Sequence, residues 1–257
     1  MMTSPFTSAL VTGASSGIGE AMVRRLAAAN VPTVVVARRA DRLEQLAGEL
    51  AGIEVLAADL TTADGVGQVA DRVQSTDSPI DLLVNNAGFG TSGNFAELDA
   101  DRLDQEIALN VAALTRLSHA ALAVMVPRRR GHLLNVSSVA SFQPAPKLAV
   151  YAATKAYVTS LTESLHEEVR GTGVKVTALC PGLTRTEFQS VSNSDRYAAS
   201  YPDFAWMDAD QVAAAGLADV AKGRALSVPG VLYKGLGWVT GVTPRGALRR
   251  LSGLVQR

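Results

Sequence analysis

The chain has 257 residues, 47% of them hydrophobic and 19% charged, which fits a folded globular protein and excludes a disordered one. Its 24 basic and 24 acidic residues leave a formal net charge of zero, which argues against nucleic-acid binding by bulk electrostatics. The one cysteine, Cys180, excludes an internal disulfide; its apolar setting, KVTALCPG, marks a small buried hydrophobe in a reducing compartment.

The first residues, MMTSPFTSALVTGASSG, lack the basic and then apolar pattern of a signal peptide, so a cytoplasmic protein is expected. Residues 7–12 (TSALVT) form a short apolar run, followed by the turn GASSGIG and an amphipathic EAMVRRLAAAN. That order reads as strand, tight turn and helix. Gly13, Gly17 and Gly19 let the backbone turn sharply and let a phosphate approach the amides at the helix N-terminus. Residues 32–37 (PTVVVA) are continuously apolar, as in a parallel strand covered on both faces. They end in Arg38 and Arg39, with no acid at the strand end. An acid there would bond a ribose 2′-hydroxyl, whereas arginine accommodates a 2′-phosphate, so NADP(H) is expected over NAD(H).

Residues 41–50 have helical spacing, and 53–58 read as a third strand ending at Asp59 and Leu60. Asp59 suits either an adenine contact or an N-cap of the helix over residues 62–74. A strand over 80–84 leads into NNAG, where Asn85 fits either a ligand contact or a structural turn and Gly88 permits a close approach. Residues 100–127 carry Leu103, Ile107, Val111, Leu114, Leu117 and Leu122 at helical intervals. Part of this run approaches the length of a membrane span, but Asn110, Arg116 and His119 interrupt it, so a buried helix is expected. A buried amide at Asn110 requires a partner.

Residues 132–136 (HLLNV) form a strand that delivers Ser137 and Ser138, and a helix carrying Tyr151 and Lys155 runs to about residue 170. The two stand four residues apart, one turn along one helix face. An ammonium near a phenol favours the phenolate, so Tyr151 is expected to titrate below its usual value, as a group moving protons at a substrate oxygen would need to. After a strand at 174–179 and Pro181-Gly182, periodicity fades over residues 184–206, which suggests a substrate cover. Phe188, Tyr197, Tyr201, Phe204 and Trp206 fit an apolar pocket or local packing. A helix over 208–222 and an extended 225–228 follow. The apolar tail from 226, with basic residues near its end, suits a subunit contact, a cap over the substrate site or an interfacial membrane contact.

Strands alternating with helices from residue 7 to about 180 predict a doubly wound parallel α/β sheet. The motifs TGASSGIG, NNAG, Asn110, Ser138 thirteen residues before Tyr151, YAATK and PG together resemble those of the short-chain dehydrogenase/reductase family. The resemblance spans most of residues 7–186. It implies a Rossmann-type fold of seven parallel strands, a single domain over 1–257 with a substrate-covering region at 183–225 and a tail at 226–257, and a homodimer or homotetramer. Asn110, Ser138, Tyr151 and Lys155 would form the catalytic set, with Tyr151 as general acid and base. The implied NADP(H) site comprises Gly13, Ser15, Ser16, Gly17, Ile18, Gly19, Arg38, Arg39, Asp59, Leu60, Asn86, Ala87, Gly88, Tyr151, Lys155, Pro181, Gly182, Thr184 and Thr186. Which of the two threonines binds the carboxamide stays open. Tail similarity to reductases of bulky or acyl-chain ketones is looser, and makes an apolar carbonyl or alcohol the expected substrate. No metal is expected. The rival readings are an NADP sensor or scaffold without turnover, and an epimerase or dehydratase.

Overall fold

The computed structural model describes residues 4–194 and 202–235. Seven parallel strands form one sheet in the order β3-β2-β1-β4-β5-β6-β9. They are β1 (Ala9–Thr12), β2 (Thr33–Ala37), β3 (Ile53–Ala57), β4 (Leu82–Asn85), β5 (Gly131–Val136), β6 (Val174–Leu179) and β9 (Leu226–Ser227). The order turns back at β1, which pairs with β2 on one side and β4 on the other. Ligands of doubly wound sheets collect at such a switch point, beyond the carboxyl ends of the strands. The expected seven-stranded Rossmann-type α/β fold is therefore the observed one.

The central strands are mostly apolar and buried because both sheet faces are covered. Ala9, Val11, Val35, Leu82, Val84 and Leu134 turn to one face, against Met22, Val23 and Leu26 of α1 (Gly17–Ala28) and Val212 and Val220 of α8 (Ala209–Lys222). Leu10, Val34, Val36, Leu83 and Leu133 turn to the other. There they meet Val69 and Val73 of α3 (Ala63–Gln74) and Leu117, Ala121 and Met125 of α5 (Leu114–Met125). Truncating one such leucine to alanine costs about 2–5 kcal/mol. The outer layers are completed by α2 (Ala40–Glu49), α4 (Ala100–Ile107) and α6 (Ala149–Glu168).

Residues 100–125 are one continuous helical stretch, long and apolar enough to cross a membrane, and the apolar residues of its second half pack on the sheet. It is not regular: Ala108–Ala113 form a π-helical turn between α4 and α5. Such a turn is rare inside an α-helix and is often found at functional sites. Asn110 sits in it. The region with faded periodicity is ordered where described, with β7 (Thr184–Arg185) pairing in parallel with β8 (Met207–Asp208), and α7 (Phe188–Val191) between them.

Candidate active site

A cavity of about 550 Å³ opens at the carboxyl ends of β1, β2, β4 and β5. Its phosphate-binding end is the turn between β1 and α1. Gly13 and Gly17 hold positive φ values of 65° and 59°. A Cβ at Gly19 would fall 2.3 Å from the Gly13 carbonyl oxygen and 2.5 Å from Asn86 Nδ2. Ser16, the N-cap of α1, makes no side-chain capping bond, so the first helix amides face the cavity mouth without a local acceptor from that residue. This cradle, closed to any side chain at three glycine positions, fits a dinucleotide pyrophosphate.

The NNAG loop is tied to that turn. Thr12 Oγ1 accepts from the amides of Asn86 and Ala87, both at 3.0 Å, while Asn86 Nδ2 donates to the carbonyls of Thr12 at 3.0 Å and Gly13 at 3.2 Å. Asn85 points the other way. Its Nδ2 donates to Ser118 Oγ at 3.1 Å and Asn135 Oδ1 at 2.9 Å, and Asn135 Nδ2 continues to Thr162 Oγ1 at 3.0 Å. Of the two roles open to Asn85, the structural one is found, as part of a buried polar network joining β4, β5, α5 and α6.

Arg38 and Arg39 separate as well. Arg39 donates to Ser15 Oγ and Ser16 Oγ and pairs with Glu187 at 2.9 Å; Glu187 also takes Arg42 at 2.6 Å. Both arginines line the cavity, and Arg38 attracts Asp59. Burial alone would raise the Asp59 carboxyl, but the Thr61 amide and hydroxyl together with Arg38 hold it below its ordinary value. The helix after β3 is capped by Thr62, which accepts from the Gly65 amide, so of the two roles open to Asp59 the N-cap is not the one found. Asp59 instead closes a turn onto Thr61. Leu60, Ala87, Ile18, Pro181, Gly182, Thr184 and Thr186 all line the cavity, as the sequence implies. Thr184 Oγ1 donates to its neighbour Gly182, whereas the Thr186 methyl carbon rests 3.0 Å from where a Gly17 Cβ would lie.

At the far end lie Ser138, Tyr151, Lys155 and Asn110. Ser138 ends the strand loop after β5 and accepts from Ala140 N at 3.1 Å; its hydroxyl also faces the Tyr151 phenol. Lys155 Nζ donates to the Val136 carbonyl at 2.8 Å. Asn110 clasps the loop after β4, accepting from Phe89 N at 3.2 Å and donating to Phe89 O at 2.8 Å. A Cβ at Gly88 would meet Asn110 Oδ1 at 2.9 Å and Lys155 Nζ at 3.5 Å, so this glycine lets the two side chains converge. The π-helical turn carries Asn110 to that position.

The titration of this cluster departs from the sequence expectation. Burial pushes the Tyr151 phenol up to about 12, only partly offset by Ser138. Burial also brings Lys155 down to about 8. The ammonium lies 5.7 Å from the phenol ring centroid and is turned to a main-chain carbonyl, so desolvation outweighs its pull on the phenol. Tyr151 is therefore a phenol at neutral pH, a donor and not a phenolate. Cys180 is fully buried and raised by that burial to about 11, an inert thiol as the sequence suggests.

A family profile described as short chain dehydrogenase matches residues 7–197. The chain belongs to that family. This short-chain dehydrogenase is 35% identical over 191 residues to an uncharacterized oxidoreductase of Staphylococcus aureus strain N315, a span that covers 73% of this chain and 83% of the relative. Among solved structures it resembles a short-chain dehydrogenase from Sphingobium yanoikuyae in complex with NADPH, with a TM-score of 0.82 and 32% identity over 92% of this chain and 96% of that one. A bulky-bulky ketone specific alcohol dehydrogenase from Comamonas testosteroni matches with a TM-score of 0.78 and 30% identity, covering 94% and 96%. The protein is an oxidoreductase of this family.

Of the aromatic residues expected at the substrate end, Phe188 lines the cavity, its ring 5.3 Å from that of Tyr151. Phe204 is 80% exposed, Trp206 stacks under Arg185, and Tyr197 and Tyr201 lie outside the described residues. Phe89 and Tyr233 line the cavity without having been singled out in the sequence. Tyr233 packs on Gly182, donates to the Ala205 carbonyl at 2.6 Å and accepts from Leu183 N at 3.0 Å, so this part of the tail caps the site. The remainder of the tail lies outside the described residues.

Proposed function

We propose that this short-chain dehydrogenase is an NADP(H)-dependent carbonyl reductase, reversible as an alcohol dehydrogenase, acting on an apolar ketone or alcohol. The observation that carries the reading is the convergence of Ser138, Tyr151, Lys155 and Asn110 at one end of a cavity whose other end is the glycine cradle and Arg38. Bound there, the nicotinamide cofactor supplies or accepts the hydride. The glycine turn and α1 N-terminus would hold the pyrophosphate, Arg38 and Arg39 the 2′-phosphate, and Thr184 and Thr186 the carboxamide end. Absence of an acid at the end of β2 supports NADP(H), as does the NADPH complex of the Sphingobium relative.

Ser138 orients the substrate oxygen by hydrogen bonding. Tyr151, protonated at neutral pH, donates its phenolic proton to that oxygen during reduction and takes it back during oxidation. Lys155 supplies positive charge beside the phenolate that results, and Asn110 fixes the loop that faces them. Phe89, Leu148, Phe188 and Val191 line the cavity along with Tyr151, beside the polar Gln143, Gln189 and Ser194, and this mainly apolar set favours an apolar substrate. Residues 183–194 and Tyr233 form its cover. Phe95, Ile107, Val111 and Tyr157 make an apolar outer groove between α4 and α6, supporting a homo-oligomer through that face.

Tyr151→Phe tests the reading. Turnover with a panel of aldehydes, steroids and 3-oxoacyl thioesters should fall at least about 100-fold while NADPH binding, followed by fluorescence, is retained. Turnover equal to the parent's would overturn it; no turnover by the parent on any of the panel, despite tight NADPH binding, would favour a sensor.

A further inference from the structure

Glu106 lies in α4 one helical turn before Asn110, with no exposed surface. Neither carboxylate oxygen has a hydrogen-bond partner, and the buried Thr91 hydroxyl facing it is equally unpaired. An acid left so in the interior is costly, so its value must lie in what it faces. Three elements surround it. From its own helix comes Arg102, whose guanidinium lies 4.9 Å over the Phe89 ring and donates to the Val191 carbonyl. The loop after β4 brings Thr91 and also Gly88, over which the Asn110 amide, one helical turn on from Glu106, and the Lys155 ammonium of α6 converge; α6 also carries Tyr151.

Two acidic groups act on Lys155 through space, the Cys180 thiol and Glu106. The thiol, pushed up to about 11, is uncharged at neutral pH. Glu106, raised by burial to about 6 against the opposing pull of Thr91, Arg102 and Lys155, is ionised. Of the two, only Glu106 places a negative charge near the ammonium in the working range.

We propose that Glu106 is a positioning residue whose buried carboxylate keeps Lys155 protonated and thereby sets the pH range over which Tyr151 can donate its proton. The proposal rests on the catalytic reading given above. Its sign is fixed. Glu106 raises both the lysine and the phenol, so removing its charge lets both lose protons at lower pH.

The test is Glu106→Gln, which keeps the side-chain shape. In cofactor-free protein with [13Cε]lysine, the Lys155 resonance should titrate at lower pH in the variant than in the parent, leaving less ammonium at a given pH. The alkaline limb of kcat/KM for ketone reduction should move to lower pH by the same amount, with KM for NADPH unchanged. A Lys155 titration and alkaline limb that both stay in place would overturn the proposal. If the variant fails to fold, the parent serves: its Lys155 resonance should show a second inflection near pH 6, where Glu106 takes up its proton, and a single inflection would overturn it. A shifted Lys155 titration in a parent that turns over no ketone would uphold the coupling and sink the catalytic reading instead.

Discussion

Asn85→Ala should damage stability and leave the chemistry largely alone, although the residue adjoins the cofactor-facing loop. The side chain is buried and spends its amide on two bonds, to Ser118 and Asn135. Each bond is worth about 0.5–1.5 kcal/mol net, and leaving buried partners unpaired adds about 1–3 kcal/mol. Asn135 keeps a long contact of 3.4 Å from Ser118 Oγ, which softens the loss. A total near 2–4 kcal/mol follows, which at about 2–4 °C per kcal/mol for a chain of this size lowers Tm by about 5–15 °C. The assay pairs thermal melts with NADPH titration and turnover at a temperature where the variant is folded. Asn86→Ala is the contrast, because its amide holds the carbonyls of Thr12 and Gly13 at the glycine turn. Asn85→Ala melting with the parent while losing cofactor affinity would refute the assignment of Asn85 to the core network.

Three further outcomes are expected. Glu187 occupies Arg39 and Arg42 through pairs about two-fifths exposed; the Arg39 pair is worth under about 1 kcal/mol. Glu187→Gln should therefore tighten NADPH up to about fivefold without improving NADH; equal effects on the two would show that Arg39 does not meet the 2′-phosphate. Ile107→Glu should weaken self-association in sedimentation analysis, and an unchanged sedimentation profile would place the interface elsewhere. Glu106 rises on folding from 4.5 to about 6, so the stability it contributes is full below pH 4.5 and is lost as pH rises through 6. That loss is about 2 kcal/mol, so Glu106→Gln should gain on the parent by this amount between pH 4 and pH 7.5 in urea unfolding, and a pH-independent difference would contradict the burial argument.

The sheet was legible in the sequence because parallel strands covered on both faces carry apolar runs without polar alternation: TVVVA and LLV can be read directly as interior strands. The cofactor turn was legible for a similar reason, since only glycine survives where a Cβ would strike another backbone. Other features depended on distances along no single segment. Glu187 and the arginines it binds come from far-separated stretches, and nothing in TRTEF points toward β2. The π-helical turn at Asn110 leaves the apolar pattern of residues 100–125 almost intact, so periodicity reads it as plain helix. Glu106 was hidden because an acid in an exposed and a buried helix looks the same in one dimension.

The pKa reversal at Tyr151 has the same origin and changes the chemistry more. Sequence spacing puts Lys155 one turn from Tyr151, and from spacing alone the ammonium should draw the phenol down. Burial is a three-dimensional quantity, set here by α6 packing under the loop after β4 and the cover over residues 183–194, and it acts on both groups in the direction of neutrality. A phenol near 12 beside a lysine near 8 is a pair in which the proton rests on the tyrosine across the neutral range. That arrangement suits donation to a ketone oxygen, whose developing negative charge draws the proton out, better than abstraction from an alcohol, which must first ionise the phenol against its burial. The same pair makes the lysine the sensitive member, since pH 8 lies close to working conditions. A buried anion near Lys155 then has a function that neither residue's position in the sequence discloses.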